Sequence, residues 1–143
     1  MKKLIPIIAL VIAVYIGWSQ FNHSNDTAGF KEPGASALST ALDEHRSGVQ
    51  AEGNGIVIKI LPDDNDGNRH QRFILKLPSG QTLLIAHNID LAPRLSTLKK
   101  GDVVEFNGEY EWNSKGGVIH WTHHDPSGRH VPGWLKHNGQ MYQ

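Results

Sequence analysis

The clearest periodicity in the chain lies between residues 102 and 112. Val104, Phe106, Tyr110 and Trp112 alternate with Glu105, Asn107, Glu109 and Glu111, the two-residue repeat of a strand with one apolar and one wet face. Gly108 falls on the apolar side and predicts a bend or bulge. Residues 70–77 repeat the pattern, with Gln71, Phe73, Leu75 and Leu77 on one face and His70, Arg72, Ile74 and Lys76 on the other. Shorter β-branched and apolar runs at 56–61, 81–86 and 118–122 predict three more strands. Turn-forming stretches separate them: an acidic loop at 62–68, Pro78-Ser79-Gly80, and residues 113–117. Asn138-Gly139 is a two-residue hairpin signal that would fold 140–142 back onto 135–137.

Two segments carry helical spacing instead. Leu38, Ala41, Leu42 and His45 predict a short helix over 35–46, ended by Gly48. Between the third and fourth strands, Asp90 can cap a helix N-terminus and Pro93 is tolerated in its first turn. Leu91, Leu95 and Leu98 form its stripe, and Lys99, Lys100 and Gly101 suit its end. Three strands, a helix and two strands predict an all-β fold: a small five-stranded OB-like Greek-key barrel with one helix between strands 3 and 4. An unclosed α+β sandwich has the same order of elements.

The N-terminus departs from this pattern. Lys2 and Lys3 precede an apolar run from Leu4 to Trp18, broken only by Pro6 and Gly17. This predicts a signal peptide or N-terminal membrane anchor over residues 1–19. Gly17 and Ser19 suit cleavage, while Tyr15 and Trp18 suit a retained helix at the membrane interface. Residues 20–50 read as a polar tether with the short helix, and 51–143 as the barrel domain. The chain is thus expected on the periplasmic face, either anchored in the inner membrane or soluble.

Composition narrows the function. With no cysteine there is no disulfide, thiolate metal site or lipid-modified cysteine. The 14 basic and 14 acidic residues cancel, which argues against a nucleic-acid surface. Expected partners are a small ligand or an envelope protein, and the membrane if the N-terminal segment stays uncut.

Histidine is the outlier. Five of nine histidines lie between His120 and His137. Asp125-Pro126-Ser127-Gly128 has type I turn preferences. If that turn closes a hairpin, His123 opposes His130 with Cβ atoms about 4.5–5.5 Å apart, near enough to share zinc, copper or nickel. Asp125 would be a further ligand or orient an imidazole. His120 and His124 lie about 13 Å apart on a continuing strand, so a site uses a subset, helped by His70 or His87. In a metal-dependent hydrolase (a phosphoesterase or nuclease), His124 or Asp125 would be the acid/base and Arg129 would hold the anion. Histidines packed beside Trp121 and Trp134 as structure account for the same residues.

From about residue 53 to 142 the chain resembles the domain of unknown function 3465 family of small exported bacterial proteins. The segments that carry this are Leu61-Pro62-Asp63-Asp64, His70-Gln71-Arg72-Phe73, Ala86-His87-Asn88-Ile89-Asp90-Leu91-Ala92-Pro93, Gly108-Glu109-Tyr110-Glu111-Trp112 and His120-Trp121-Thr122-His123-His124-Asp125-Pro126. The resemblance implies a bacterial source and export, and carries no activity. The leading expectation is an exported OB-like binding module with a histidine-rich, metal-binding site. A hydrolase built on the same cluster and a structural tethered envelope protein are the alternatives.

Overall fold

The computed structural model describes residues 33–143. The signal or anchor segment and most of the tether lie outside the described residues. Among the described residues, no helix is long and apolar enough to cross a membrane.

The first element is helix α1 (Pro33–Glu44), which starts and ends two residues before the expected 35–46 helix. Its Leu38 and Ala41 are buried and Leu42 packs against the same core. The helix ends earlier than Gly48: His45 adopts φ 54°, and the Arg46 N–H returns to the Ala41 carbonyl at 2.9 Å. That is the reverse turn that satisfies the last helical carbonyls.

Seven strands follow: β1 (Val49–Asp64), β2 (His70–Lys76), β3 (Thr82–Asn88), β4 (Val103–Glu111), β5 (Val118–His120), β6 (Trp134–His137) and β7 (Gln140–Tyr142). β1 is 16 residues long and changes partners midway. Its first half pairs with β4, from Val49↔Tyr110 to Ile56↔Val103. Its second half pairs with β2, from Ile56↔Lys76 to Asp64↔His70, with two register shifts. β2 continues to β3, β3 runs parallel to β5, and β5 pairs with β4. The pairing therefore closes a ring: β1, β2, β3, β5, β4 and back to β1. The β6–β7 hairpin lies outside that ring, on the first half of β4. Leu135 faces Tyr142 and His137 faces Gln140 across it, as the Asn138-Gly139 turn predicts.

The alternations read in the sequence place the core. Gln71, Phe73 and Leu75 are buried from β2, Leu77 just after it, and Val104, Phe106 and Tyr110 from β4. Trp112 leaves the pattern at the end of β4 and is exposed, its ring stacked on His45 with centroids 4.8 Å apart. Gly108 makes no bulge, since the β1–β4 register runs unbroken past it. A Cβ there would lie 2.5 Å from the His120 carbonyl oxygen, so the glycine lets β5 approach.

The helix expected between the third and fourth strands does not form. Residues 89–102 are turns and irregular backbone. Three side chains take the backbone groups that a helix would use. Asn88 Oδ1 accepts the N–H groups of Asp90 and Leu91 at 2.9 and 3.2 Å. Gln71, buried in β2, accepts the Leu95 N–H at 2.9 Å and donates to its carbonyl at 3.0 Å. His87 Nε2 donates to the Pro93 carbonyl at 2.9 Å. Asp90 caps nothing: its carboxylate accepts from the backbone and the guanidinium of Arg69, each at 2.8 Å, which hold its pKa below the usual value.

Candidate functional site

β4 and β5 form a hairpin around residues 113–117, and its register sets Glu109 opposite His120 and Glu111 opposite Val118. Gly108 and Tyr110 point into the core, so Glu109 and Glu111 share the outer face with His120. His120 Nε2 lies 3.2 Å from Glu109 Oε2 and 3.7 Å from Glu111 Oε1. It is buried and has no hydrogen-bond partner of good geometry. One ligand atom from each of the three residues falls within 4.8 Å of the others, so this trio could hold a metal ion. It is the group of this kind among the described residues. From the loop after β5, His130 Nε2 lies 3.6 Å from the same Glu109 oxygen, outside the 4.8 Å grouping of the trio.

That loop is organised by Asp125. Its carboxylate accepts the Ser127 N–H at 2.9 Å, the Ser127 hydroxyl at 2.8 Å, and the N–H groups of Arg129 and His130 at 3.0 and 2.9 Å. These donors, the Ser127 N–H foremost, hold its pKa down at about 2. The expected turn is present, with the Gly128 N–H on the Asp125 carbonyl at 2.9 Å. No strands flank it, so residues 123–130 do not form the regular ladder that would oppose His123 to His130. Both histidines pack instead on Trp121. His130 stacks on it at 3.9 Å and 7°, and His123 lies tilted at 5.3 Å. Trp121 itself adopts φ 56°, a left-handed conformation costly for a bulky side chain.

The remaining histidines fall into two groups. His70, His123 and His130 each use Nδ1 on a backbone carbonyl: that of Asn68 at 2.8 Å, His124 at 2.7 Å and Val131 at 2.7 Å. A carbonyl only accepts, so Nδ1 carries the proton and a neutral ring presents Nε2 as a lone pair. That is how metal-ligating imidazoles are commonly oriented. His87 and His137 are pinned. His87 Nδ1 accepts from the Thr122 hydroxyl at 2.7 Å while Nε2 is used on Pro93, and burial pushes its pKa down to about 4. His137 Nε2 lies 2.8 Å from Asp102 Oδ2. His124 and Arg129 are exposed.

The structure thus brings His120 and His130 to one carboxylate, engages both ring nitrogens of His87, and sets His70 and His123 on a neighbouring cleft. Glu109 and Glu111 were absent from the sequence-derived candidates. Counting back from the expected 113–117 loop sets Tyr110 against His120; only with Trp112 in the connection, as the structure has it, does Glu109 face His120.

No curated protein matches the chain. A family profile described as Protein of unknown function (DUF3465) matches residues 17–143, nearly the whole sequence, so the chain belongs to that family.

Proposed function

We propose that this protein is an exported, OB-like binding module that holds a divalent metal ion, zinc by its donor set, at Glu109, Glu111 and His120, with His130 as fourth ligand. The strand order around the ring and the parallel β3–β5 pair support reading the sheet as a five-stranded Greek-key barrel with β6–β7 appended. The apolar run at Leu4–Trp18 supports export.

The observation that carries the metal reading is the buried, unpartnered His120 Nε2 facing two carboxylates. Zinc bound at about 2.0–2.2 Å in a tetrahedron sets its donors about 3.3–3.6 Å apart. The separations of 3.2, 3.6 and 3.7 Å between the imidazole and carboxylate atoms lie near that range. Protonated imidazoles would make ion pairs over the same distances, and titration with zinc separates the two cases. The full chain, purified without a histidine tag, should bind one equivalent of zinc by calorimetry and elemental analysis. Glu109→Gln with His120→Ala should weaken that binding by more than about tenfold. Substoichiometric zinc, unchanged by the pair of substitutions, would sink the proposal.

A further inference from the structure

Beside the metal ligands a cleft of about 230 Å³ opens between the start of β2, the end of β3 and the segment after β5. Its walls are Asn68, His70, Asn88, Leu91, Trp121 and His123, with His120 at one side. Two of these side chains are deeply buried yet have unused polar atoms. Asn88 is 5% exposed and His123 is 4% exposed. Asn88 spends its carbonyl oxygen on the turn at Asp90 and Leu91. Among the described residues its amide nitrogen donates to none. His123 spends Nδ1 on the His124 carbonyl, and His70 spends Nδ1 on the Asn68 carbonyl. Each leaves Nε2 as a bare acceptor. Asn88 and His123 are buried as residues while these atoms stay open to the cleft they line, where their partner is a ligand or ordered water.

The pattern of these groups defines the ligand. Two imidazole lone pairs ask for hydrogen-bond donors, and one carboxamide N–H asks for an acceptor. A hydroxyl group supplies both. The walls carry no lysine, arginine or carboxylate, and Arg69 and Asp90, adjacent to them in sequence, pair with each other at 2.8 Å. Leu91, 44% exposed, and the Trp121 ring add apolar wall for C–H groups. The volume falls below the roughly 300–1,000 Å³ of sites for drug-sized ligands, which limits the occupant to one ring. We infer that the cleft is a binding site for a neutral polyhydroxylated ring, a single pyranose unit, hydrogen-bonded by His70, Asn88 and His123. The inference goes beyond the metal reading and does not depend on it.

The test uses the full chain in excess EDTA, so that metal binding plays no part. D-glucose, D-galactose, D-mannose and N-acetyl-D-glucosamine are titrated singly. The imidazole Nε2 resonances of His70 and His123 and the Asn88 side-chain amide are followed by NMR. At least one sugar should move all three saturably. Asn88→Asp keeps the oxygen that holds the turn but replaces the donor, and should weaken that binding at least tenfold while backbone spectra elsewhere stay unchanged. The inference is overturned if none of the four sugars shifts these resonances. It is equally overturned if Asn88→Asp binds as before, or if only inorganic phosphate produces the shifts.

Discussion

His87 offers a direct check on the buried half of this histidine cluster. The ring is fully buried, with Nε2–H donating to the Pro93 carbonyl and Nδ1 accepting from Thr122. A second proton would have to displace the Thr122 hydroxyl proton and be carried without water. Burial is the main cause of its depressed pKa, about 4 against the ordinary 6.5. Below pH 6.5 the unfolded chain takes up a proton at this residue that the folded chain refuses. Stability therefore falls as pH falls, until about pH 4, where both states are protonated. At about 1.4 kcal/mol per pH unit, the loss totals about 3 kcal/mol, a large share of the roughly 5–15 kcal/mol that holds a domain folded. Urea unfolding in EDTA, followed by circular dichroism from pH 7.5 to 4, should show this decline. His87→Gln should be less stable throughout, having lost hydrogen bonds, but nearly flat over the same range. A flat wild-type profile between pH 6.5 and 4.5, or the same slope in His87→Gln, would refute the reasoning. Asp125, Asp90 and Asp102, whose pKa values the fold lowers, lose their contribution only below the ordinary carboxylate value of 3.8, so they fall outside this window.

Other substitutions probe the supports of the site. Gln71→Leu leaves the Leu95 N–H and carbonyl unpaired, which should cost about 3 kcal/mol and lower Tm by more than about 10 °C in a thermal melt. Gly108→Ala drives a Cβ to 2.5 Å from the His120 carbonyl oxygen. It should destabilise by about 1–3 kcal/mol in denaturant titration, and weaken zinc binding by shifting β5 from β4. Asp125→Asn turns an amide N–H towards the donors of Arg129 and His130. It should leave the circular dichroism spectrum intact while lowering zinc affinity several-fold in calorimetry, because His130 is no longer held; unchanged affinity would remove His130 from the ligand set.

The β2 and β4 strands and the β6–β7 hairpin were legible because local pattern and tertiary role agree there. Phe106 sits between Glu105 and Asn107 and is buried, and Asn138-Gly139 turns as its residues prefer. The first half of β1 lies before the expected 56–61 strand, where Gly53 and Gly55 offer no side chains to show an alternation. Their cause is crowding that no local pattern reports: a Cβ on Gly53 would meet the Phe106 ring at 2.8 Å, and one on Gly55 the Lys76 carbonyl at 2.8 Å. The missing helix had good local signals, but Gln71 and His87 reach its backbone from two strands. In the candidate site, histidine density pointed to the stretch that supplies His120. The carboxylates facing it were credited to a solvated strand face, because their partner emerges only from the hairpin register.

The change of partners along β1 sets an order of assembly. Its second half joins β2 and then β3 through short connections, so that meander can form early. Its first half must wait for β4, as Gln50 and Asn107, hydrogen-bonded across that seam, are 57 residues apart. Non-local pairing of this kind slows folding into the range of milliseconds to seconds. Until the seam closes, the first half of β1 is an open edge able to pair with another chain. Afterwards the five-strand ring offers that half no unpaired partner-seeking side towards β4. The interval before closure is therefore when crowding during synthesis endangers this protein most.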